Sequence, residues 1–284
     1  MKKRIYWLTP VLLLVFACNL PTATVAPVSV LPPEASATPT PPEAEATGTP
    51  TVAPAATPNV SCNEITLNLD PGLAAGFQCQ TVPAAGGPDD PYFAINPQYT
   101  DVTFQGYILP NTFFPAHISV YPVQDFHALA PDVIDGRVAA LQQLIAGGAL
   151  PAKGALPLLP IFNAAEEFRA QYLVIAFSGG SGIRYLTQYS QFTDPINSHE
   201  LFYSFQGLTA DGRFWISAIL PISNSMLPPN GDNPPNGMSQ QQFSDQFDTY
   251  ISDLTDKLNN QPPESYSPTI AALDALMESI SIQP

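Results

Sequence analysis

Few residues of this chain are of a type that catalyses reactions. The three histidines are His117, His127 and His199, and two of them lie beside a carboxylate in the sequence: His127 follows Asp125, and His199 precedes Glu200. A histidine paired with a carboxylate is the general base of many hydrolases. No catalytic constellation is complete here, so we predict no catalytic residue and keep a secreted hydrolase that uses a His–carboxylate pair as the alternative.

The glycine-rich stretch at residues 179–182 could be proposed as a phosphate-binding loop. Such a loop must open a helix, because the amides at the helix N-terminus hold the anion. Residues 183–189 are instead rich in strand-forming types, which favours a hairpin turn. Ser181 is not a nucleophile elbow either, because Ile183 stands where that motif requires glycine.

Carboxylates and oxygen-rich loops give no stronger signal. Glu166-Glu167 and Asp89-Asp90 are adjacent pairs whose side chains point in different directions, unlike the paired acids of a glycosidase. The loop at residues 230–237 has oxygen ligands but one carboxylate, which favours a surface turn over a calcium site. We therefore predict no metal and no cofactor.

The strongest candidate for ligand contact surrounds Arg184. The chain has 9 Lys and Arg against 24 Asp and Glu, so a cation in a tyrosine-rich hairpin should serve an anionic ligand or a structural carboxylate. Binding surfaces favour tyrosine and tryptophan. The predicted ligand-binding set is Arg184, Tyr185, Tyr189, Tyr203 and Trp215. The competing interpretation is that half of these aromatic side chains belong to the core.

Two cysteines, Cys62 and Cys79, lie at the start of the part of the chain that is rich in aromatic and β-branched residues. In an oxidising compartment, cysteines at the edge of a small exported domain usually pair. Closing a loop of this length would contribute about 3 kcal/mol to stability. We predict a Cys62–Cys79 disulfide.

The N-terminal segment has the pattern of an export signal. A basic Met-Lys-Lys-Arg precedes an apolar run over residues 5–17, which is too short to span a membrane. It ends in Val15-Phe16-Ala17-Cys18, which resembles the lipobox of bacterial lipoproteins. That resemblance implies a signal peptide at residues 1–17, lipidation of Cys18, and anchoring to the outside of a bacterial membrane. An ordinary secretory signal or an uncleaved anchor are the alternatives.

Residues 18–60 follow as a linker rich in Pro, Thr and Ala, without aromatic residues or hydrophobic periodicity. Such a composition cannot bury enough apolar surface to fold, so we predict a disordered, extended stalk. The formal net charge of −15 also makes nucleic acid a poor partner, because that partner requires clustered cations.

Residues 61–284 are predicted to form one exported α+β domain. Alternating apolar patterns indicate strands at residues 64–69, 101–109 and 117–123, and hairpins at 172–189 and 201–220. Helical spacing indicates about three helices, at residues 133–146, 239–258 and 268–280. This order predicts an antiparallel sheet packed against helices and is loosely similar to the PsbP/Mog1-like class. The function we expect is a non-enzymatic, membrane-anchored binding or envelope-associated module of unknown ligand.

Overall fold

The computed structural model describes residues 59–87, 89–151 and 154–283. The predicted signal peptide, Cys18 and almost all of the predicted linker lie outside the described residues. Within them, no helix combines the length and the apolar character that crossing a membrane requires.

The described chain contains short and long strands together with five α-helices. The strands are β1 Asn59–Cys62, β2 Ile65–Asn68, β3 Gly76–Val82, β4 Tyr99–Gln105, β5 His117–Pro122, β6 Ala165–Glu166, β7 Ala170–Phe177, β8 Gly180–Thr187, β9 Tyr189–Ser190, β10 Phe202–Thr209, β11 Phe214–Pro221, β12 Ser223–Asn224, β13 Tyr266–Ser267 and β14 Ser281–Ile282. The helices are α1 Val123–Leu129, α2 Pro131–Ile145, α3 Gln240–Asp245, α4 Phe247–Asn259 and α5 Ile270–Glu278.

A seven-stranded sheet with the order β3-β4-β5-β11-β10-β8-β7 forms the centre of the domain. Every pair in it is antiparallel. The chain first runs through β3, β4 and β5, then crosses by way of α1 and α2 to the far edge. From there β7, β8, β10 and β11 return strand by strand until β11 pairs with β5. The predicted α+β class with an antiparallel sheet is confirmed.

In the middle strands β8, β10 and β11, both faces of the central sheet are buried, because helices cover the sheet on both sides. One face packs against α4 and α5 through residues such as Leu186, Phe205 and Ile216. The other packs against α1 and α2 through residues such as Ile183 and Trp215. The structure is therefore a three-layer arrangement with the sheet in the middle.

The glycines of the stretch at 179–182 serve the packing of the β7–β8 hairpin. Gly179 has a φ of +87° and forms the tight turn. Gly180 and Gly182 lie within β8, where an added Cβ would come within 2.3 Å of the Phe177 ring and 2.5 Å of the Phe205 ring, respectively. The missing side chains let the two rings lie across the strand. The predicted hairpin is confirmed, with a shorter turn than expected.

Helix boundaries follow local signals, with one exception. α2 begins at Pro131, whose missing amide proton is no loss in the first turn. Ser239 caps α3 through a reciprocal capping box with Gln242. The predicted single helix at 239–258 is in fact two helices, because Gln246 leaves helical geometry and its amide bonds to the carbonyl of Phe243, three residues back.

The predicted Cys62–Cys79 disulfide is present and joins β1 to β3, with 5.6 Å between the two Cα atoms. β1 belongs to a small three-stranded sheet with β2 and β14, whereas β3 is the edge strand of the central sheet. The bond therefore links two separate sheets at the beginning of the fold.

Replacing both cysteines, as in Cys62→Ala/Cys79→Ala, should lower the free energy of unfolding by about 3 kcal/mol, because the unfolded chain regains the freedom of the open loop. Urea denaturation of the full chain measures this change. A reducing agent should lower the midpoint of the wild type and leave that of the double variant unaltered. Equal midpoints for oxidised wild type and variant would contradict the prediction.

Candidate functional site

Arg184 is buried against α5 and pairs with a carboxylate of the protein itself. Its Nε and Nη2 donate to the two oxygens of Asp274 at 3.2 and 3.4 Å, and the Tyr203 hydroxyl donates to Asp274 Oδ1 at 2.8 Å. The side chains of Arg184 and Asp274 are 7% and 18% exposed. Of the two alternatives open for Arg184, the structure has the structural carboxylate.

Of the other predicted ligand-binding residues, Tyr203 lies on the same face of the sheet as Arg184 and shares Asp274 with it, whereas Tyr185, Tyr189 and Trp215 do not join them. Tyr185 and Trp215 lie on the opposite face of the sheet, toward α1 and α2, and both are fully buried. Successive residues of a strand point to opposite faces, which separates Tyr185 from Arg184. Tyr203 is also fully buried. Tyr189, at the end of the same hairpin, is partly exposed and lines a cavity described below.

Gln206 forms a buried polar network that the sequence analysis missed. Its Oε1 accepts from the Trp215 indole at 2.8 Å and from the Leu159 amide at 3.1 Å. Its Nε2 donates to Ser217 Oγ at 2.9 Å, and Ser217 donates to the Leu159 carbonyl. The network fixes the loop before β6 to the sheet. A glutamine in the middle of an apolar strand was the available signal.

The histidines have partners other than those expected. His127 Nδ1 lies 2.7 Å from Oδ1 of Asp135, and both side chains are at least half exposed. His199 Nδ1 contacts the carbonyl of Asn111, and His117 Nδ1 contacts that of Pro115. A His–carboxylate pair therefore exists on the exposed surface of α1 and α2, formed with a different acid than predicted. The hydrolase alternative stays a prediction.

A cavity of about 160 Å³ lies beside α2, where Arg137 meets three aromatic rings. We call it the Arg137 cavity. Tyr92, in a 3₁₀ turn between β3 and β4, contributes one ring, and the loop before β6 and strand β9 contribute the rings of Phe162 and Tyr189. The remaining lining residues are small or aliphatic: Ala155, Leu156, Leu158, Ile161 and Ala164.

One wall of the Arg137 cavity is held by an ion pair. Glu166 Oε2 accepts from the Leu156 amide at 2.7 Å and from Arg169 Nη2 at 3.3 Å. Arg169 also donates to the carbonyls of Pro151 and Gly154. Burial raises the pKa of Glu166, and the Arg169 charge and the Leu156 amide oppose that rise. The pair thereby fixes the loop that carries Ala155 and Leu156.

Two buried polar atoms next to this wall have no hydrogen bond of acceptable geometry within the described residues. They are the hydroxyl of Tyr185 and Oε1 of Glu166, which lies 3.3 Å from Arg169 Nε and so takes part in the ion pair without a hydrogen bond. Burial and the nearby Tyr189 and Glu166 raise the pKa of Tyr185 well above its ordinary value. A buried hydroxyl without a partner costs about 1–3 kcal/mol.

A larger groove of about 690 Å³ runs along α4, opposite the loop that follows β12. The helix contributes Tyr250, Asp253, Leu254 and Lys257, which share one side of it. The loop contributes mainly apolar residues: Met226, Leu227, Pro228, Pro235 and Met238. The predicted surface turn at 230–237 forms part of this loop. In the described residues, no group of three His, Cys, Asp or Glu side chains could hold a metal ion.

Searches against models of protein families, curated proteins and solved structures found no match to this chain. The resemblances to bacterial lipoproteins and to the PsbP/Mog1-like class therefore stay predictions from the sequence.

Asp274→Asn should lower the free energy of unfolding by about 3–5 kcal/mol, because Arg184 would keep a buried charge without a counter-ion. The double variant Arg184→Met/Asp274→Leu removes both charges and should recover most of that loss. Urea denaturation of the three proteins measures both effects. A loss below about 1 kcal/mol in the single variant would contradict a structural role for the pair.

The titration of Glu167 should make the free energy of unfolding depend on pH. Burial, and then the nearby Asp194, raise the pKa of Glu167 from 4.5 to about 7. Between pH 4.5 and about 7, the folded chain binds a proton at Glu167 that the unfolded chain lacks. The free energy of unfolding therefore falls as the pH rises from 4.5 to about 7. Glu167→Gln should therefore stabilise the protein at pH 8, by about 1 kcal/mol after solvent screening, and not at pH 4.

Urea midpoints of wild type and Glu167→Gln at both pH values test this. Asp194→Asn removes the neighbouring charge and should move the sensitive window to lower pH. An equal gain for Glu167→Gln at pH 4 and pH 8 would show that the effect does not come from this titration.

Proposed function

We propose that the chain is an exported bacterial lipoprotein, anchored at Cys18, whose folded domain is a binding module and not an enzyme. The structural observation that carries this proposal is the Cys62–Cys79 disulfide. Disulfides persist in oxidising compartments and are rare in the cytosol. The two described cysteines thus have the state expected of an exported domain.

The sequence before the domain supports the same proposal independently. Val15-Phe16-Ala17-Cys18 follows an apolar segment of signal-peptide length. Lipidation would attach two acyl chains through the Cys18 thiol, and acylation of the new amino terminus would add a third; together these anchor a protein where a single chain does not. The Pro-rich linker at residues 18–60 would then hold the domain away from the membrane surface.

A binding role, as opposed to catalysis, rests on the chemistry of the cavities. The Arg137 cavity combines one cation, three aromatic rings and several aliphatic side chains. Pockets that recognise small molecules are mostly apolar with a few placed polar groups. The His127–Asp135 pair, by contrast, lies on the exposed surface, where a reaction would not be shielded from water.

Lipidation at Cys18 is tested by producing the full chain in bacteria fed with an alkyne analogue of palmitate. Wild type and Cys62→Ser/Cys79→Ser should both incorporate the label, whereas Cys18→Ser should not, because its hydroxyl cannot form the thioether. Intact mass of the wild type should give a mature chain that begins at lipidated Cys18.

The double cysteine variant serves as the matched control, because it removes the other two thiols and keeps Cys18. Label in the Cys18→Ser protein would overturn the anchoring proposal. So would a wild-type protein that retains residues 1–17 and carries a free thiol at Cys18.

A further inference from the structure

Arg137 differs from the neighbouring arginines in having no carboxylate partner. Arg184 and Arg169 each form a salt bridge, with Asp274 and Glu166. Arg137 forms no salt bridge in the part of the chain that the structure describes. Its Nη1 donates a hydrogen bond to the Val133 carbonyl at 2.7 Å. A guanidinium has five N–H donors, so most of them are free to bind a ligand.

The surroundings of Arg137 make its unused N–H donors unusual. Burial lowers the pKa of Arg137, and the nearby Tyr92 and Tyr189 oppose that effect. A partly buried charge without an anion is unfavourable. The chain has 24 acidic residues, yet none stands three or four positions from Arg137 on α2, where it could have paired. No acidic residue of α2 therefore neutralises the Arg137 charge next to the cavity.

We propose that the Arg137 cavity binds a small monocarboxylate, with the carboxylate on the Arg137 guanidinium and an apolar, ring-sized body between Tyr92, Phe162 and Tyr189. This assignment rests on the proposed binding function and names its ligand class. The planar fork of arginine matches the two oxygens of a carboxylate.

The volume of the cavity and its aromatic walls determine the size and shape of the apolar part of the ligand. A cavity of about 150 Å³ holds one benzene molecule, and the Arg137 cavity measures about 160 Å³. Phe162 and Tyr189 meet edge to face with 5.0 Å between ring centroids, and Phe162 stacks on Phe114 at 5.1 Å. A flat ring entering this cluster would gain further aromatic contacts.

The charges near the cavity favour a single negative charge on the ligand. Glu166 lies behind the wall that carries Leu156, and the whole chain has a formal net charge of −15. Both repel a phosphate or a polyanion more strongly than a monocarboxylate.

Benzoate is the probe, and benzamide, which has the same shape without the charge, is its matched control. Calorimetric titration of the full chain should show benzoate binding with a Kd of about 10 mM or tighter. Benzamide should bind at least tenfold more weakly, because it lacks the charge-assisted hydrogen bonds. Equal binding of the two, or none for benzoate, would overturn the proposal.

Two variants separate the roles of charge and space. Arg137→Gln should weaken benzoate at least tenfold, whereas Arg213→Gln, which removes an exposed cation outside the cavity, should leave it unchanged. Ala164→Leu fills the cavity without touching any charge and should also abolish binding. If Arg137→Gln does not fold, Ala164→Leu still tests whether benzoate binds in the Arg137 cavity. Unaltered binding in Ala164→Leu would place the site elsewhere.

The ligand and the anchor are tested separately. Loss of benzoate binding would not affect the labelling of Cys18, and absence of lipidation would not affect titration of the Arg137 cavity. Failure of one proposal is therefore distinguishable from failure of the other.

Discussion

Burial of the central sheet on both faces is the constraint on which the rest of the structure depends. A polar or charged side chain in β8 or β10 cannot reach water, and leaving it unpaired would cost several kcal/mol. Arg184 is therefore paired with Asp274, and Gln206 with Trp215, Ser217 and the backbone of Leu159. Each pairing also joins the sheet to a covering layer, α5 on one face and the loop before β6 on the other. The centre of the sheet is closed to ligands for this reason.

Polar and charged side chains are paired less completely at the edge of the sheet, beyond the helices that cover it. Beyond β8 the chain continues into β9, which pairs with the short strand β6 and leaves the central sheet. Here Arg137 has a guanidinium that pairs with no carboxylate of the described residues and lines the Arg137 cavity. Polar groups that the fold leaves unpaired at its margin are those that an outside molecule can use.

The acidity of the chain gives Arg137 its significance. With 24 acidic and 9 basic residues, a carboxylate is easily supplied to any arginine that needs one, as Arg169 and Arg184 show. Arg137 forms no salt bridge within the described residues, although its charge is partly buried. A negative net charge reduces association with polyanions at long range, while a nearby guanidinium still attracts a single carboxylate at short range. Together they favour small, singly charged ligands.

The sequence by itself determined what depends on neighbouring residues: the hairpins, helix α2, the Ser239 cap and the disulfide, because periodicity, capping and short loops are local. β3 and α1, whose patterns are weak, were missed. Tertiary structure alone decided that Arg184 meets Asp274, 90 residues away, that Tyr185 lies on the opposite face, and that Arg137 has no acid beside it. Long-range pairing decides these features, since a partner brought near by folding leaves no trace in local spacing.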